Sequence, residues 1–159
     1  AIRRQRQMCI RDRYKAVVVG ETIGSFEISD PIGRDRNNRT KMSIRPDGKE
    51  ALTFVKINES LKNYSLLDIR IETGRTHQIR VHLSNKKLPI IGDKTYNPSN
   101  NIAKETPKEL IDTIRTFPRQ ALHSYQLSFM DMDTDEMISF VAPLPDDIKK
   151  LIETLKKHT

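Results

Sequence analysis

The stretch IETGRTHQIRVHLSNKKLPIIGDKTY, residues 71–96, concentrates the side chains of this sequence that could do chemistry. Arg75, His77 and Arg80 crowd together just behind a Thr-Gly turn. Arginine binds a carboxylate or a phosphate through two parallel N–H donors and keeps its charge when partly buried. Gly74 breaks the strand before it, and Thr76 is placed to cap a helix over about 77–85. On that helix Ile79 and Leu83 face the core, while His77, Arg80 and Ser84 fall on another side. The helix start adds unpaired backbone N–H groups and the positive end of the helix dipole. Strand, glycine turn and helix start thus gather one cluster suited to an anion. The spacing leaves open whether that anion is a carboxylate or a phosphate. It also leaves open a solvated helix end with an incidental ion pair.

A second basic feature is the loop from Arg34 to Lys49, which holds Arg34, Arg36, Arg39, Lys41, Arg45 and Lys49 among small and polar residues. It reads either as a solvated charged loop or as a contact for nucleic-acid phosphates, whose affinity would be salt-sensitive. The net charge of +7 and the pI near 9.6 fit a polyanionic partner and equally a soluble protein with a charged surface.

Other chemistries lack their residues. His77 and His82 lie on different helix faces with no carboxylate at ligand spacing, so no metal site is expected. No glycine-rich phosphate loop, dinucleotide fingerprint or nucleophile elbow is present, and no cofactor is expected. Cys9 is the only cysteine, which excludes an internal disulfide and fits a reducing cytosol. It reads as an incidental thiol. No run approaches the roughly eighteen apolar residues of a membrane span, and no apolar segment follows the basic N-terminus as in a signal peptide.

The elements that must position the cluster follow from periodicity. The 159 residues suit one domain. Residues 1–13 carry five arginines and two glutamines without periodicity. They read as an unstructured or artefactual segment, and MCIRDR within them resembles translated adapter. From Tyr14 the pattern is regular through 159. YKAVVVG, SFEIS, ALTFVKI and SLLDIRIET read as strands, the last with Leu67, Ile69 and Ile71 on one face and Asp68, Arg70 and Glu72 on the other. TPKELIDTIRT reads as a short helix with Leu110, Ile111 and Ile114 on one side. RQALHSYQLSFM and EMISFVAP read as strands joined by the acidic turn DMDTD. PDDIKKLIETLKK is a helix, with Ile148, Leu151, Ile152 and Leu155 inward. Strands outnumber helices and follow one another as hairpins, so the class is α+β, a mostly antiparallel mixed sheet flanked by helices.

The same segments in the same order resemble the RluA-type family of RNA pseudouridine synthases. TGRTHQIRVH, PIIGDKTY, RQALHSYQLSF and FVAPLPDDI match that family's order, and YKAVVVG with PIGRDRNNRTKMSIRPDGKEALT resembles the stretch before them. The likeness runs from Tyr14 to about Leu155, with Ser124 where the family has Ala. It implies isomerisation of uridine in RNA without a cofactor: the base leaves the stack, the C1′–N1 bond breaks, and C1′ joins C5. It implies a cytoplasmic enzyme, monomeric when complete, whose partner is RNA, ribosomal RNA foremost, with no metal and no membrane. It assigns Arg80 as the arginine that keeps a nucleophilic Asp ionised, Tyr14 as the residue that stacks on the target base, and Leu122 as the apolar wall opposite. Arg75 and His77 would support the pocket or touch RNA phosphate, and with Arg34, Arg39 and Lys41 they are the expected substrate-binding residues.

The family's nucleophilic Asp lies about thirty residues before the Tyr, in an H-R-L-D segment that has no match here. Asp12 stands too near Tyr14 to take that place, and Asp93 has its own match in the P-x-x-G-D turn. The resemblance therefore implies a C-terminal portion of the catalytic domain, inactive alone, with a strand edge or apolar face left open. Two other readings stand beside it: a non-catalytic RNA-binding module of the same fold, and an unrelated binder or hydrolase of phosphate esters using Arg75, His77 and Arg80.

Overall fold

A computed structural model describes residues 9–159, with side chains from residue 12 onward. Residues 1–8, most of the segment expected to be unstructured, lie outside the described ones. So does the Cys9 side chain.

Among the described residues eight strands and three helices follow in order: β1 (Cys9–Val19), β2 (Ser25–Ile28), β3 (Ile32–Arg34), β4 (Met42–Ile44), β5 (Thr53–Ser60), β6 (Tyr64–Ile71), α1 (Gln78–Asn85), α2 (Lys108–Arg115), β7 (Leu122–Met130), β8 (Met137–Val141) and α3 (Asp146–Lys156). Six strands form one sheet in the order β2-β5-β6-β1-β7-β8, and β3 and β4 form a separate hairpin. Every pairing in the main sheet is antiparallel.

Two expectations about connectivity change. The strands do not simply follow one another as hairpins, because β1 inserts between β6 and β7. Its Ala16, Val17 and Val18 are fully buried, so a strand apolar on both faces belongs at the sheet centre. β1 also starts at Cys9 rather than Tyr14. Arg13 and Asp12 continue the ladder opposite Arg70 and Ile71, because pairing on both sides holds a polar strand extended without apolar alternation. The basic loop is likewise not irregular throughout: β3 and β4 pair Ile32 with Ile44 and Arg34 with Met42. Its charges hid the two apolar pairs that anchor it, Ile32 being buried against Ala51 and Val81.

The alternation of β6 appears as read. Leu67 and Ile69 are fully buried. On the opposite face Asp68 bonds the Lys15 ammonium at 3.2 Å and accepts from the Tyr125 phenol. α3 buries Ile148, Leu151, Ile152 and Leu155 as its spacing requires, and α2 buries Leu110 and Ile114 but leaves Ile111 only half-buried. These helices share one apolar cluster with β1 and β6. Among the described residues no helix is long and apolar enough to cross a membrane.

Candidate active site

Helix α1 lies over the sheet face that carries Thr53. Gln78 donates to the Thr53 hydroxyl at 2.9 Å, and His82 Nδ1 meets the same oxygen at 2.8 Å. Thr53 stands opposite Ile71, and Ile71 opposite Asp12, so α1 covers the face on which Asp12 and Tyr14 alternate. Tyr14 sits where β1 is bulged against β7 and faces Ser124, while Ala16 faces Leu122. Tyr14 and Leu122 are therefore diagonal neighbours on one face, both half-buried against the main core. The structure thus puts the helix of Arg80, with Tyr14 and Leu122, on one side of the sheet.

The helix starts one residue later than its sequence suggests. Its N-cap is His77, at φ 55°, with no side-chain cap, and Thr76 is not used. The left-handed His77 lets the Thr-Gly-Arg-Thr turn tighten into α1. The Gln78 side chain closes that turn by accepting from the Arg75 amide at 3.1 Å and the Thr73 hydroxyl at 2.8 Å. His77 Nδ1 meets the Tyr96 hydroxyl at 2.7 Å, and the two rings meet edge-on. Burial, then the charge of Arg80, pushes the His77 pKa down.

Arg80 is the best-held cation of the cluster. Its Nε and Nη2 each donate to Asp93 at 2.8 Å, a two-pronged fork, and its guanidinium lies 4.9 Å from the centre of the Tyr96 ring. The Arg80 side chain is 13% exposed and that of Asp93 1%. Asp93, expected only to belong to its own turn, occupies the fork within this chain. The cause is backbone. Val18 bridges Ile90, and the Ile91 amide donates to Val17, so this segment runs along β1. Gly92 at φ 77° then turns Asp93 towards α1. Asp93 also accepts from the amides of Thr95 and Tyr96. Burial would raise its pKa, but the Arg80 fork and these amides outweigh it and hold the carboxyl below its ordinary value. The Nη1 of Arg80 has no hydrogen-bond partner among the described residues. The glycine before Asp93 signals the turn but not its partner.

Arg75 and Arg34 line a groove of about 880 Å³ with Arg45, Lys49 and Asp12. Arg75 anchors its Nε on the Glu50 carbonyl at 2.8 Å, leaving the rest of its guanidinium at the groove. Burial raises the Asp12 pKa, and one of its carboxylate oxygens is buried without a partner among the described residues. Arg39 and Lys41 do not line the groove. They sit at the tip of the β3–β4 hairpin, where Arg34 closes the loop by donating to the Arg39 carbonyl at 2.8 Å. Tyr96 ties this hairpin to the Arg80 site, its hydroxyl accepting from the Met42 amide at 2.9 Å.

His82 has a structural role that its place on α1 did not announce. It is fully buried between Thr53 and the Asp30 carbonyl, at 2.8 Å from each. Burial, partly opposed by that carbonyl, lowers its pKa below the ordinary 6.5. Below that pH the unfolded chain takes up a proton that the folded chain resists. Stability is therefore complete above about pH 6.5 and is lost as pH falls towards the folded pKa. Urea midpoints should drop between pH 7.5 and 5.5, and His82→Gln should flatten that drop. An equal drop in the variant would move the effect elsewhere.

A family model described as RNA pseudouridylate synthase matches residues 2–85, more than half of the chain, and the protein belongs to that family. Its relatives include the ribosomal large subunit pseudouridine synthase D of Vibrio parahaemolyticus, 40% identical over 150 residues, 94% of this chain and 46% of the relative. The protein of the same name from Xanthomonas campestris pv. campestris is 38% identical over 156 residues, 96% of this chain and 47% of the relative. The chain thus spans less than half the length of these relatives. Two solved structures share its fold: human RNA pseudouridylate synthase domain containing 1 (TM-score 0.69, 23% identity, covering 98% of this chain and 69% of that one) and domain containing 4 (TM-score 0.71, 22%, 98% and 65%). The α+β class and the family resemblance both stand.

Proposed function

We propose that this chain is the part of an RNA pseudouridine synthase that binds and orients the target uridine, and that the substrate is ribosomal RNA. The observation that carries the reading is Arg80, buried and aimed by Asp93 and Tyr96, on the sheet side that presents Tyr14 and Leu122. Tyr14 stacks on the extruded base and Leu122 packs on its other side. Arg80 offers its remaining Nη1 donor to the nucleophilic carboxylate and keeps it ionised. That carboxylate comes from a segment of the complete protein beyond this chain. It attacks C1′ as the C1′–N1 bond breaks. The base turns, C5 bonds to C1′ as the bond from C1′ to the carboxylate breaks and frees the carboxylate, and the proton lost at C5 is matched by one gained at N1. Arg75, His77, Arg34, Arg39 and Lys41 meet RNA phosphates. The complete protein works as a cytoplasmic monomer without cofactor.

The test joins this chain to the unmatched portion of the Vibrio parahaemolyticus relative. The chain alone should form no pseudouridine in a ribosomal RNA transcript, and the chimera should form it. Arg80→Ala in the chimera should lower the rate about 10²–10³-fold, as for loss of one aimed donor in a closed site. A folded chimera that binds RNA but stays inactive would favour the non-catalytic module, which the basic hairpin and groove serve equally well. Turnover by the isolated chain would refute the assigned division of residues.

The hairpin carries its own prediction. Arg39→Ala with Lys41→Ala should weaken RNA binding across sequences. The slope of log affinity against log salt should fall by about 1.5, since each lost phosphate contact releases roughly 0.7–0.9 fewer counterions. An unchanged slope would return the hairpin to the solvated reading.

A further inference from the structure

Tyr96 joins the basic hairpin to the Arg80 site. In the β3–β4 ladder the Asp35 amide donates to the Lys41 carbonyl, so these two form a hydrogen-bonded pair and the next pair, Arg34 with Met42, does not. The Met42 amide therefore points out of the hairpin, away from β3, and needs a partner there. The Tyr96 phenol supplies it at 2.9 Å. Having accepted that bond, the phenol has its own proton to give, and His77 Nδ1 lies 2.7 Å away. Amide, phenol and imidazole thus form one chain of hydrogen bonds, which puts the His77 proton on Nε2.

The ring is also fixed from its backbone. The Tyr96 amide donates to Asp93 at 3.1 Å, and its carbonyl accepts from the Ser84 hydroxyl at 3.0 Å. Held in this way, the ring lies 4.9 Å from the Arg80 guanidinium, close enough for the cation to be drawn to its face. Other attachments of the hairpin lie at its base, where the Ile32 amide donates to the Lys49 carbonyl and the Ile32 side chain packs on Ala51 and Val81. A two-stranded hairpin is marginal by itself, so its order depends on what it touches.

We propose that Tyr96 is a positioning residue that carries RNA contact at the hairpin to Arg80. Phosphates held by Arg39 and Lys41 order the tip. The ordered β4 keeps its Met42 amide on the phenol, and the phenol keeps the ring against the guanidinium. RNA that fills the hairpin is then turned over faster at saturation, besides being bound more tightly, than RNA that fills only the uridine pocket. The inference rests on the proposed function in taking RNA at the hairpin and Arg80 beside the nucleophile.

Solvent exchange of the Arg80 Nε proton, followed by NMR in the 159-residue chain, tests the coupling without turnover. The probe is a short RNA duplex of G·C pairs, which offers no uridine to the pocket. Duplex binding should shift the Arg39 and Lys41 amides both in the chain and in Tyr96→Phe, which keeps the ring and loses only the phenol oxygen. It should slow the Arg80 exchange about 5-fold or more in the chain and less than about 2-fold in the variant. Equal slowing in both would overturn the proposal, and so would no slowing in the chain. Hairpin amides unmoved by the duplex would take RNA away from the hairpin, which overturns that contact in the proposed function and this inference with it. In the active chimera the same coupling is read at saturating RNA. Arg39→Ala with Lys41→Ala should slow single turnover about 5-fold or more beside Tyr96, and less than about 2-fold further in Tyr96→Phe. Losses that simply multiply would leave Tyr96 a local structural role and overturn the proposal. An inactive chimera would count against the proposed function and leave the exchange result standing.

Discussion

Asp93→Ala should cost the fold about 3–5 kcal/mol, read as a lowered urea midpoint, because it strands the Arg80 guanidinium in a largely buried site. Both prongs of the fork are lost, and the amides of Thr95 and Tyr96 lose their acceptor as well. Arg80→Ala in the same background should recover part of the loss, since the double variant no longer buries an unpaired charge. The two changes should therefore be non-additive by roughly 1–3 kcal/mol. The acid limb of stability should change too. The Asp93 carboxyl is held below its ordinary 3.8, so its contribution is present above that pH and lost as pH falls through the folded value. That limb should be shallower in Asp93→Ala. A loss under about 1 kcal/mol would mean that Arg80 turns out to water, and a freely turning arginine could not aim a donor at a nucleophile.

The pair also marks where the sequence could be read and where it could not. The strand of Leu67 and Ile69 and the last helix with Ile148, Leu151, Ile152 and Leu155 were legible because each buries one stripe against one core. The cluster of Arg75, His77 and Arg80 was legible as a set, because a strand, a glycine turn and a helix fix their order. Its internal division was not. Arg75 and Arg80 are chemically the same, yet one lines a groove and the other faces Asp93, thirteen residues on. That contact depends on the long-range bridge of Val18 to Ile90, which no local pattern encodes. The Thr76 cap failed for a related reason. The Gln78 side chain satisfies the turn from inside, so the chain enters the helix through a left-handed His77 instead. The β3–β4 hairpin was hidden by its four cations, and its pairing rests on Ile32 and Ile44, which are too few to make an alternating run.

Gly92→Ala should be as damaging as loss of Asp93 itself, with no charge or hydrogen-bonding side chain removed. Gly92 has φ 77°, a conformation that strains any residue with a Cβ. An added methyl would meet the Arg119 carbonyl oxygen directly and press on the Phe117 ring. The ring could tilt, but the carbonyl belongs to a stretch fixed on both sides. The Ala121 amide donates to Ile91, and Ala121 accepts from Val17 in the sheet centre. Relief therefore requires the turn to move, which carries Asp93 away from Arg80. Backbone strain and overpacking together should cost about 3 kcal/mol or more. Gly74→Ala is the control. Its added methyl meets nothing within 4 Å and its φ needs no glycine, so its stability should shift by no more than about 1 kcal/mol. In the active chimera Gly92→Ala should also lower turnover, and because Tyr96 of the same turn accepts from the Met42 amide of the hairpin, a smaller loss of RNA affinity should accompany it. If turnover held while stability fell, Arg80 would keep its aim without the turn, and the role given to Asp93 as its holder would fail.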